Sequence, residues 1–446
     1  MSGIYFVSLG CPKNLVDTEV LAGILLSSGY NITFNAGEAN VYLINTCAFL
    51  PSAREEAFEE IQKAVNWKKR ARKQSRRVAV AGCLVQYGSN NPFREKFPEV
   101  DLWLGVNDIP NIAEILKKEN GSDASSANPH YLYDHNTPRL QLTVPHMAYL
   151  KIADGCNNCC TYCAIPHIRG KLRTRTQASV LEEAENLIAN GVKELVIVAQ
   201  DVTVFGHDRP ESGESLSTLL QELDKLEGEF KIRLLYTHPA HYTDELIETI
   251  KTSKHVMHYL DMPLQHISDR ILKAMNRHVT QSRVKEVIAK LREAMPDLVL
   301  RTTFITGFPG ESEAEFEELK EFIKEVRFER CGVFPYSAEP GTQAAEMENQ
   351  IDFEISCARA DELMDIQLDI MEEYQNSLIG KEIEVIADEV EGTRAIGRGV
   401  ADAPEIDNMV VFGGRKMKAG RFYKVRIEAV SDYDLIGNVT ETEKKK

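Results

Sequence analysis

The sequence predicts an α/β chain in three parts: an N-terminal open parallel sheet, a central partial (β/α)6 barrel and a small C-terminal all-β barrel. Three observations predict it. Short apolar runs alternate with helix-period segments through residues 1–120 and again through 142–352, the pattern of parallel strands joined by crossover helices. After residue 377 the pattern changes to short β-like pieces broken by Gly, Asp and Pro. Cysteines stand repeatedly just past the ends of the apolar runs.

In the first part, Ile4–Ser8 is an apolar run ending in Leu9-Gly10-Cys11. Val16–Leu26 follows with helical spacing, Val20 and Ile24 on its buried side. Val41–Ile44 ends in Asn45-Thr46-Cys47, and Pro51-Ser52 opens a helix toward Lys73. Val78–Ala81 ends in Gly82-Cys83; residues 101–104 are a fourth strand and 109–117 a closing helix. Cys11, Cys47 and Cys83 are thus spaced by 36 and 36 residues, about one strand–helix–strand crossover. In an open parallel sheet the carboxyl ends of the strands share one edge, where ligand sites form. The three thiols are therefore expected to converge. The plain alternative is three apolar core cysteines. Zinc would want a fourth ligand, for which His135 and His146 are the candidates, whereas three thiolates on an iron–sulfur cube leave one iron open.

Residues 121–141 carry Ser, Asn, Pro, Asp and His with little periodicity and read as a linker. Candidate strands then fall at 149–153, 195–199, 232–236, 256–260, 299–305 and 331–334, with helices at 178–189, 215–226, 243–252, 268–275, 280–295 and 312–326. Six such units make a partial barrel, two short of a closed one. Directly after the first strand comes Asp154-Gly155-Cys156-Asn157-Asn158-Cys159-Cys160-Thr161-Tyr162-Cys163. Cys156, Cys160 and Cys163 form C-x3-C-x2-C, which wraps three soft thiolates around the corners of a 4Fe-4S cube. Cys159 makes the register ambiguous, since Cys156/Cys159 and Cys160/Cys163 also read as two C-x2-C pairs. A zinc ribbon normally separates such pairs by a longer span.

These motifs resemble the radical S-adenosylmethionine superfamily, and within it the methylthiotransferases. The resemblance rests on Leu9-Gly10-Cys11-Pro12-Lys13-Asn14, Asn45-Thr46-Cys47, Gly82-Cys83, the loop Asp154–Cys163, Ile165-Pro166 with Arg169-Gly170, Met262-Pro263-Leu264-Gln265-His266, Gly307-Phe308-Pro309-Gly310-Glu311, and Tyr336-Ser337 with Glu339-Pro340-Gly341-Thr342. It covers almost the whole chain. Cys11-Pro12-Lys13-Asn14-Leu15-Val16-Asp17 is similar to the branch that modifies an aspartate of a ribosomal protein, as is Ala199-Gln200-Asp201-Val202-Thr203. The tRNA-modifying relatives usually carry Gln-Met-Asn after the first cysteine.

The resemblance implies two 4Fe-4S clusters, one on Cys156, Cys160 and Cys163 that cleaves S-adenosylmethionine, and one on Cys11, Cys47 and Cys83 that handles the sulfur. It implies methylthiolation of the β-carbon of an aspartate in small-subunit ribosomal protein twelve, free or in the assembling subunit. The alternative is an adenosine in the tRNA anticodon loop. An external electron donor is required. Gln200, Asp201, Gly307 and Gly310 are candidate cofactor contacts. The glycines allow close backbone approach, and a simple strand-to-helix turn with Glu311 and Glu313 at the helix start explains the same residues. No protein acid or base is expected to carry the chemistry, because an unactivated C–H bond yields to a positioned radical rather than to an ordinary base. No serine triad, Walker loop or HExxH motif competes.

Lys and Arg number 52 and Asp and Glu 68, a formal charge of −16. That balance disfavours wrapping long nucleic acid. Residues 68–77 nevertheless hold seven basic residues, read either as a helix C-terminus or as a local ribosomal RNA contact. Arg169, Lys171, Arg173 and Arg175 would share one face if extended. Residues 353–376 read as a connecting helix and 377–440 as a small β-barrel similar to a TRAM domain, with a tail at 441–446. Residues 381–434 contain nine basic and eleven acidic residues, which favours docking a basic protein over gripping RNA. With no long apolar run and no leader-like start, a cytoplasmic protein without membrane contact is expected.

Overall fold

The computed structural model describes residues 3–70, 76–87, 93–118, 123–124 and 128–440. The expected tail at 441–446, and Arg72 and Lys73 of the basic run, lie outside them. The first part is a parallel sheet of β1 (Gly3–Ser8), β2 (Asn31–Thr33), β3 (Val41–Thr46), β4 (Arg77–Gly82), β5 (Leu102–Leu104) and β6 (Asp123–Ala124) in the order β2-β1-β3-β4-β5-β6. Successive side chains point to opposite faces. Leu43, Ala79 and Ala81 pack with α1 (Pro12–Ser27), while Tyr42, Ile44, Val78 and Val80 pack with α2 (Pro51–Lys69). Cover on both faces explains why β3 is buried along its whole length. The short helices α3 (Cys83–Gln86) and α4 (Ile112–Lys117) complete this part.

The central part opens with β7 (Met147–Lys151), β8 (Ala153–Asp154), α5 (Ile165–Arg169) and β9 (Arg173–Thr174). It continues as α6 (Gln177–Ala189), β10 (Glu194–Val198), α7 (Leu216–Leu223), β11 (Lys231–Leu234), α8 (Asp244–Thr252), β12 (Val256–Asp261), α9 (Asp269–Ala274), α10 (Gln281–Ala294), β13 (Val299–Thr306), α11 (Glu313–Val326) and β14 (Arg330–Pro335). The strands pair in parallel in the order β14-β13-β12-β11-β10-β7, an open barrel. Apolar helix faces such as Val284, Val287, Ile288 and Leu291 pack on its outside. The expected linker behaves differently from a loose connection. Its described stretch straps α1 to the barrel: Arg139 binds Glu19 at 2.5 Å and Glu183 at 2.6 Å, and Gly23 makes room for the backbone of Pro138.

The helix α12 (Phe353–Leu378) lies along the barrel edge, with Leu363 and Ile370 in its core. A closed β-barrel follows: β15 (Glu382–Glu391), β16 (Arg394–Arg398), β17 (Val410–Gly413), β18 (Phe422–Ser431) and β19 (Asp434–Val439), ordered β15-β16-β17-β19-β18. The connection between β16 and β17 plugs the N-terminal mouth of the central barrel. Arg233 donates to the carbonyls of Val400 and Gly399, Arg330 pairs with Asp402 at 3.0 Å, and Tyr259 donates to Asp407 at 2.7 Å. Ala401 and Ala403 join Tyr149, Val196, Val198 and Tyr259 in the barrel interior. His146 binds Asp388 at 2.8 Å on this same side. It therefore serves the packing of the C-terminal barrel, not the first cysteine set.

Glu194 anchors the plug between Arg233 at 2.8 Å and Arg398. Burial alone would raise its carboxyl, but Arg398 and Arg233 outweigh that and hold it below its ordinary value. Its contribution is therefore complete at neutral pH and is lost only as pH falls through that depressed value. Glu194→Ala leaves the buried Arg233 without its carboxylate, while Arg398 keeps Asp388, an expected cost of about 3 kcal/mol, read as a lower denaturation midpoint. An unchanged midpoint contradicts this role.

Candidate functional site

Three neighbouring strands, β1, β3 and β4, run in parallel register, so their carboxyl ends bring Cys11, Cys47 and Cys83 to one edge. Cys11 precedes α1 without its side chain capping the helix. Gly10, at φ +88, is required here: a Cβ on it would lie 2.4 Å from Cys47 Cβ and 2.9 Å from Cys47 Sγ. Gly82, at φ +92, likewise lets the Cys83 loop close on Asn45. Asn14 and Asn45 tie the loops together, Asn14 donating to the Leu9 carbonyl at 2.6 Å and Asn45 to the Asn14 carbonyl at 2.8 Å. Burial raises the Cys47 thiol, and Cys11 adds to the shift. Burial likewise pushes Cys83 up to about 12, with Arg169 opposing and Cys47 and Cys11 adding.

The second set lies on the loop after β8. Burial pushes Cys156 up to about 11 and Cys163 up to about 12, Cys160 adding to both. Arg277 points its Nη1 at Cys160 Sγ, 3.6 Å away. Cys159 stands apart: it is exposed, at φ 50, with its carbonyl held by Asn276 at 2.9 Å. Cys159 is thus the exposed thiol of the loop, whereas Cys156, Cys160 and Cys163 are each partly buried. Each triad consists of free thiols. Among the described residues, only Asp201, His238 and His241 bring three ligand atoms within 4.8 Å of one another. Each triad offers three free thiols, a donor set that suits a 4Fe-4S cube with one iron left open.

The Asp201 group is a hydrogen-bonded wall beside this loop. Asp201 accepts from Asn158 at 2.8 Å and from the Thr203 N–H at 3.0 Å. His238 Nδ1 accepts from the Ala240 N–H at 3.2 Å, which places the proton of the neutral ring on Nε2. That Nε2 is buried without a partner. A metal would need its lone pair instead. Burial holds His238 well below its ordinary value, with Arg277 reinforcing, so the ring is neutral.

A buried ionic network joins the two cysteine sets. Arg169, only 2% exposed, follows the second cysteine loop on α5. Its Nη2 donates to Cys83 Sγ at 3.1 Å and to Asn14 Oδ1 at 3.2 Å, and its Nη1 to Asp17 at 2.6 Å and Asp154 at 3.1 Å. Lys151 also pairs with Asp17. Arg54 from α2 meets Glu339 at 2.6 Å, where Tyr87 also donates at 3.1 Å. Lys13 Nζ lies 3.2 Å from the ring centroid of Tyr236. Burial lowers its ammonium below the usual lysine value, Cys11 and Asp261 opposing.

Of the other expected contacts, Gln200 donates to Asp154 at 2.7 Å and leaves its Oε1 buried without a partner. Gly307, at φ +72, makes room for Ser356 of α12: a Cβ there would sit 1.8 Å from its Oγ. Gly310, at φ +77, has open space beyond Arg270 and its carbonyl accepts from Arg270 at 2.6 Å. The geometry thus gives these glycines a packing and turn role. The four cations at 169–175 do not share a face: Gly170 turns the chain after Arg169 at φ +73, and beyond it Lys171 is exposed while Arg175 is buried. Arg169 is buried toward Cys83, whereas Arg175 pairs with Glu183. Of the basic run, Lys68 pairs with Asp101, Lys69 with Glu99, and Arg76 stacks on Trp67. Sequence reasoning missed Arg277, His238 and the partners of Lys13 and Arg169. No local pattern signals contacts made across parts of the chain so far apart.

Comparison with known proteins agrees with this layout. The radical SAM superfamily pattern matches residues 150–323, the TRAM domain pattern 379–440, and an Uncharacterized protein family UPF0004 residues 3–105. At 14% identity, and covering 77% of each chain with a TM-score of 0.56, the solved radical S-adenosylmethionine methyltransferase TsrM from Kitasatospora setae shares the fold. The cobalamin-dependent S-adenosylmethionine radical enzyme OxsB is similar at TM-score 0.53 and 13% identity, over 84% of this chain and 56% of that one. The central part therefore places the chain among radical S-adenosylmethionine enzymes.

Nearly full-length relatives narrow this further. The protein named ribosomal protein uS12 methylthiotransferase RimO in Geobacter sulfurreducens is 42% identical, with 98% of each chain covered. Its namesake in Caldanaerobacter subterraneus is 43% identical, covering 98% of this chain and all of that one. The chain belongs to the ribosomal protein uS12 methylthiotransferase family. No helix among the described residues is long and apolar enough to cross a membrane.

Arg169→Ala removes the fork shared by Asp17 and Asp154 and leaves Lys151 to serve both buried carboxylates, an expected loss of about 3 kcal/mol. Arg169→Lys does not restore it, because a single ammonium cannot reproduce the guanidinium fork that spans four acceptors. Chemical denaturation of the three proteins measures this, and a Lys variant as stable as the parent contradicts it.

Proposed function

We propose that this protein methylthiolates the β-carbon of an aspartate in ribosomal protein uS12, with S-adenosylmethionine as methyl donor and radical source. The observation that carries the reading is the pair of free cysteine triads at the carboxyl ends of two parallel sheets, bridged by Arg169. Cys156, Cys160 and Cys163 would hold one 4Fe-4S cluster and Cys11, Cys47 and Cys83 the other. Held by those residues, such clusters would provide the reducing electron for S-adenosylmethionine cleavage and a site for the transferred sulfur. An external donor supplies the electrons.

The chain's own residues position and enclose. Arg277 directs a guanidinium at the Cys160 sulfur and Arg169 at the Cys83 sulfur, where Arg169 opposes the rise that burial imposes on the thiol. The unpartnered Oε1 of Gln200 is an acceptor for a cationic group of the cofactor, and the unpartnered Nε2–H of His238 a donor for an anionic one. Asp201 orients Asn158 within the cysteine loop. The C-terminal plug shuts one mouth of the barrel and the N-terminal sheet covers the other, which keeps water from a reactive radical. The residues of the acidic C-terminal barrel suit a basic ribosomal protein. The basic run is engaged internally at Lys68, Lys69 and Arg76, which favours its reading as a helix end over an RNA contact.

Anaerobic reconstitution is expected to give about eight irons per chain, falling by about four in Cys11→Ala and in Cys156→Ala. Zinc at either triad in metal-replete protein contradicts the assignment. Offered both uS12 and tRNA, the reconstituted enzyme is expected to incorporate the methylthio group into uS12 alone; exclusive incorporation into tRNA overturns the substrate.

A further inference from the structure

We propose that Lys13 receives the side-chain carboxylate of the substrate aspartate and so selects an acid at the modified position. The proposal rests on the reading of the substrate given above. Lys13 is buried, and its Nζ stands over the face of Tyr236 at 3.2 Å. Among the described residues it has no hydrogen-bonded or ion-paired carboxylate, although acids are close. Asp17 is taken by Lys151 and Arg169, and Asp154 by Arg169 and Gln200. Asp261 is taken by Arg301 at 2.9 Å and by the Tyr236 N–H at 2.9 Å. A buried ammonium that lacks an anion is costly, and an aromatic face compensates only in part.

The placement gives this vacancy its chemical meaning. Lys13 is two residues from Cys11, on the first turn of α1. It meets Tyr236 just past the carboxyl end of β11, and Tyr236 is held at φ 62 by its bond to Asp261. A side chain entering between the two parts therefore meets the Lys13 ammonium beside the first cysteine triad. In an aspartate the β-carbon is bonded directly to the carboxylate, so fixing that group fixes the carbon to be modified. A compact ammonium with three donors suits one carboxylate. Asparagine has the same shape but no charge, and is rejected because it leaves the ammonium unpaired. The methionyl carboxylate of S-adenosylmethionine offers the same chemistry. Lys13 stands on α1, two residues past Cys11 of the first triad and not on the radical SAM loop, which favours the substrate as the source.

The test uses the reconstituted full-length enzyme with uS12 carrying Asp or Asn at the modified position, and compares the parent with Lys13→Met and Lys13→Gln. Equilibrium binding, KM, iron content and S-adenosylmethionine affinity are measured for each. The parent is expected to bind the Asp form at least about tenfold more tightly than the Asn form. In both variants that preference falls to near unity and KM rises, while iron content and S-adenosylmethionine affinity stay at parent values. An Asp preference retained in a variant that keeps its iron overturns the proposal. So does loss of S-adenosylmethionine affinity with the preference intact, which assigns Lys13 to the cofactor. A parent that modifies neither uS12 form but does modify tRNA overturns the substrate reading itself.

Discussion

The architecture depends on one set of buried charges at the boundary between the N-terminal sheet and the barrel. Arg169 leaves the second cysteine loop and ends among Asp17, Asp154, Asn14 and the sulfur of Cys83. Lys151 completes the group. Buried ions contribute little net stability compared with apolar packing, but a displaced partner leaves an unmatched charge that costs several kcal/mol. The arrangement therefore acts mainly on specificity: the pairs that cross the boundary, Lys151 and Arg169 with Asp17, tie the two parts into one relative placement. Arg139 between Glu19 and Glu183, and Arg54 on Glu339, apply the same constraint farther out.

That constraint turns two ordinary αβ units into one reaction chamber. Each unit gathers its cysteines at the carboxyl edge of a parallel sheet, the usual place for a ligand site. Alone, each edge would open to water. Joined edge to edge, they cover each other, and the opposite mouth of the barrel is filled by the β16–β17 connection with Ala401 and Ala403. The C-terminal barrel is thus a structural stopper as well as a docking candidate, fixed through Glu194, Arg233 and Arg330.

Much of this was legible in the sequence, and the limits have physical causes. The strands of the central barrel and the order of the cysteine loops followed from alternating apolar runs, because strands buried on both faces leave continuous apolar signatures. The edge strands β2 and β6 and the last strand β19 were not foreseen; they are short or lie beside polar turns. The cations at 169–175 looked like one face until the left-handed Gly170 broke the alternation. Gly307 read as a close approach to a ligand, and the close approach is real, but its neighbour is Ser356. Lys13 and Arg169 stood in the quoted motifs, yet their meaning lies in Tyr236, Asp154 and Cys83, contacts that only the assembled fold creates.

The central claim is that the two triads hold clusters as near neighbours across the Arg169 bridge. Electron paramagnetic resonance of the doubly reduced protein tests it directly, through the magnetic interaction between the two centres. The account predicts coupled signals that become a single uncoupled signal when Cys83 is replaced by Ala. Two independently relaxing signals in the parent protein would contradict it.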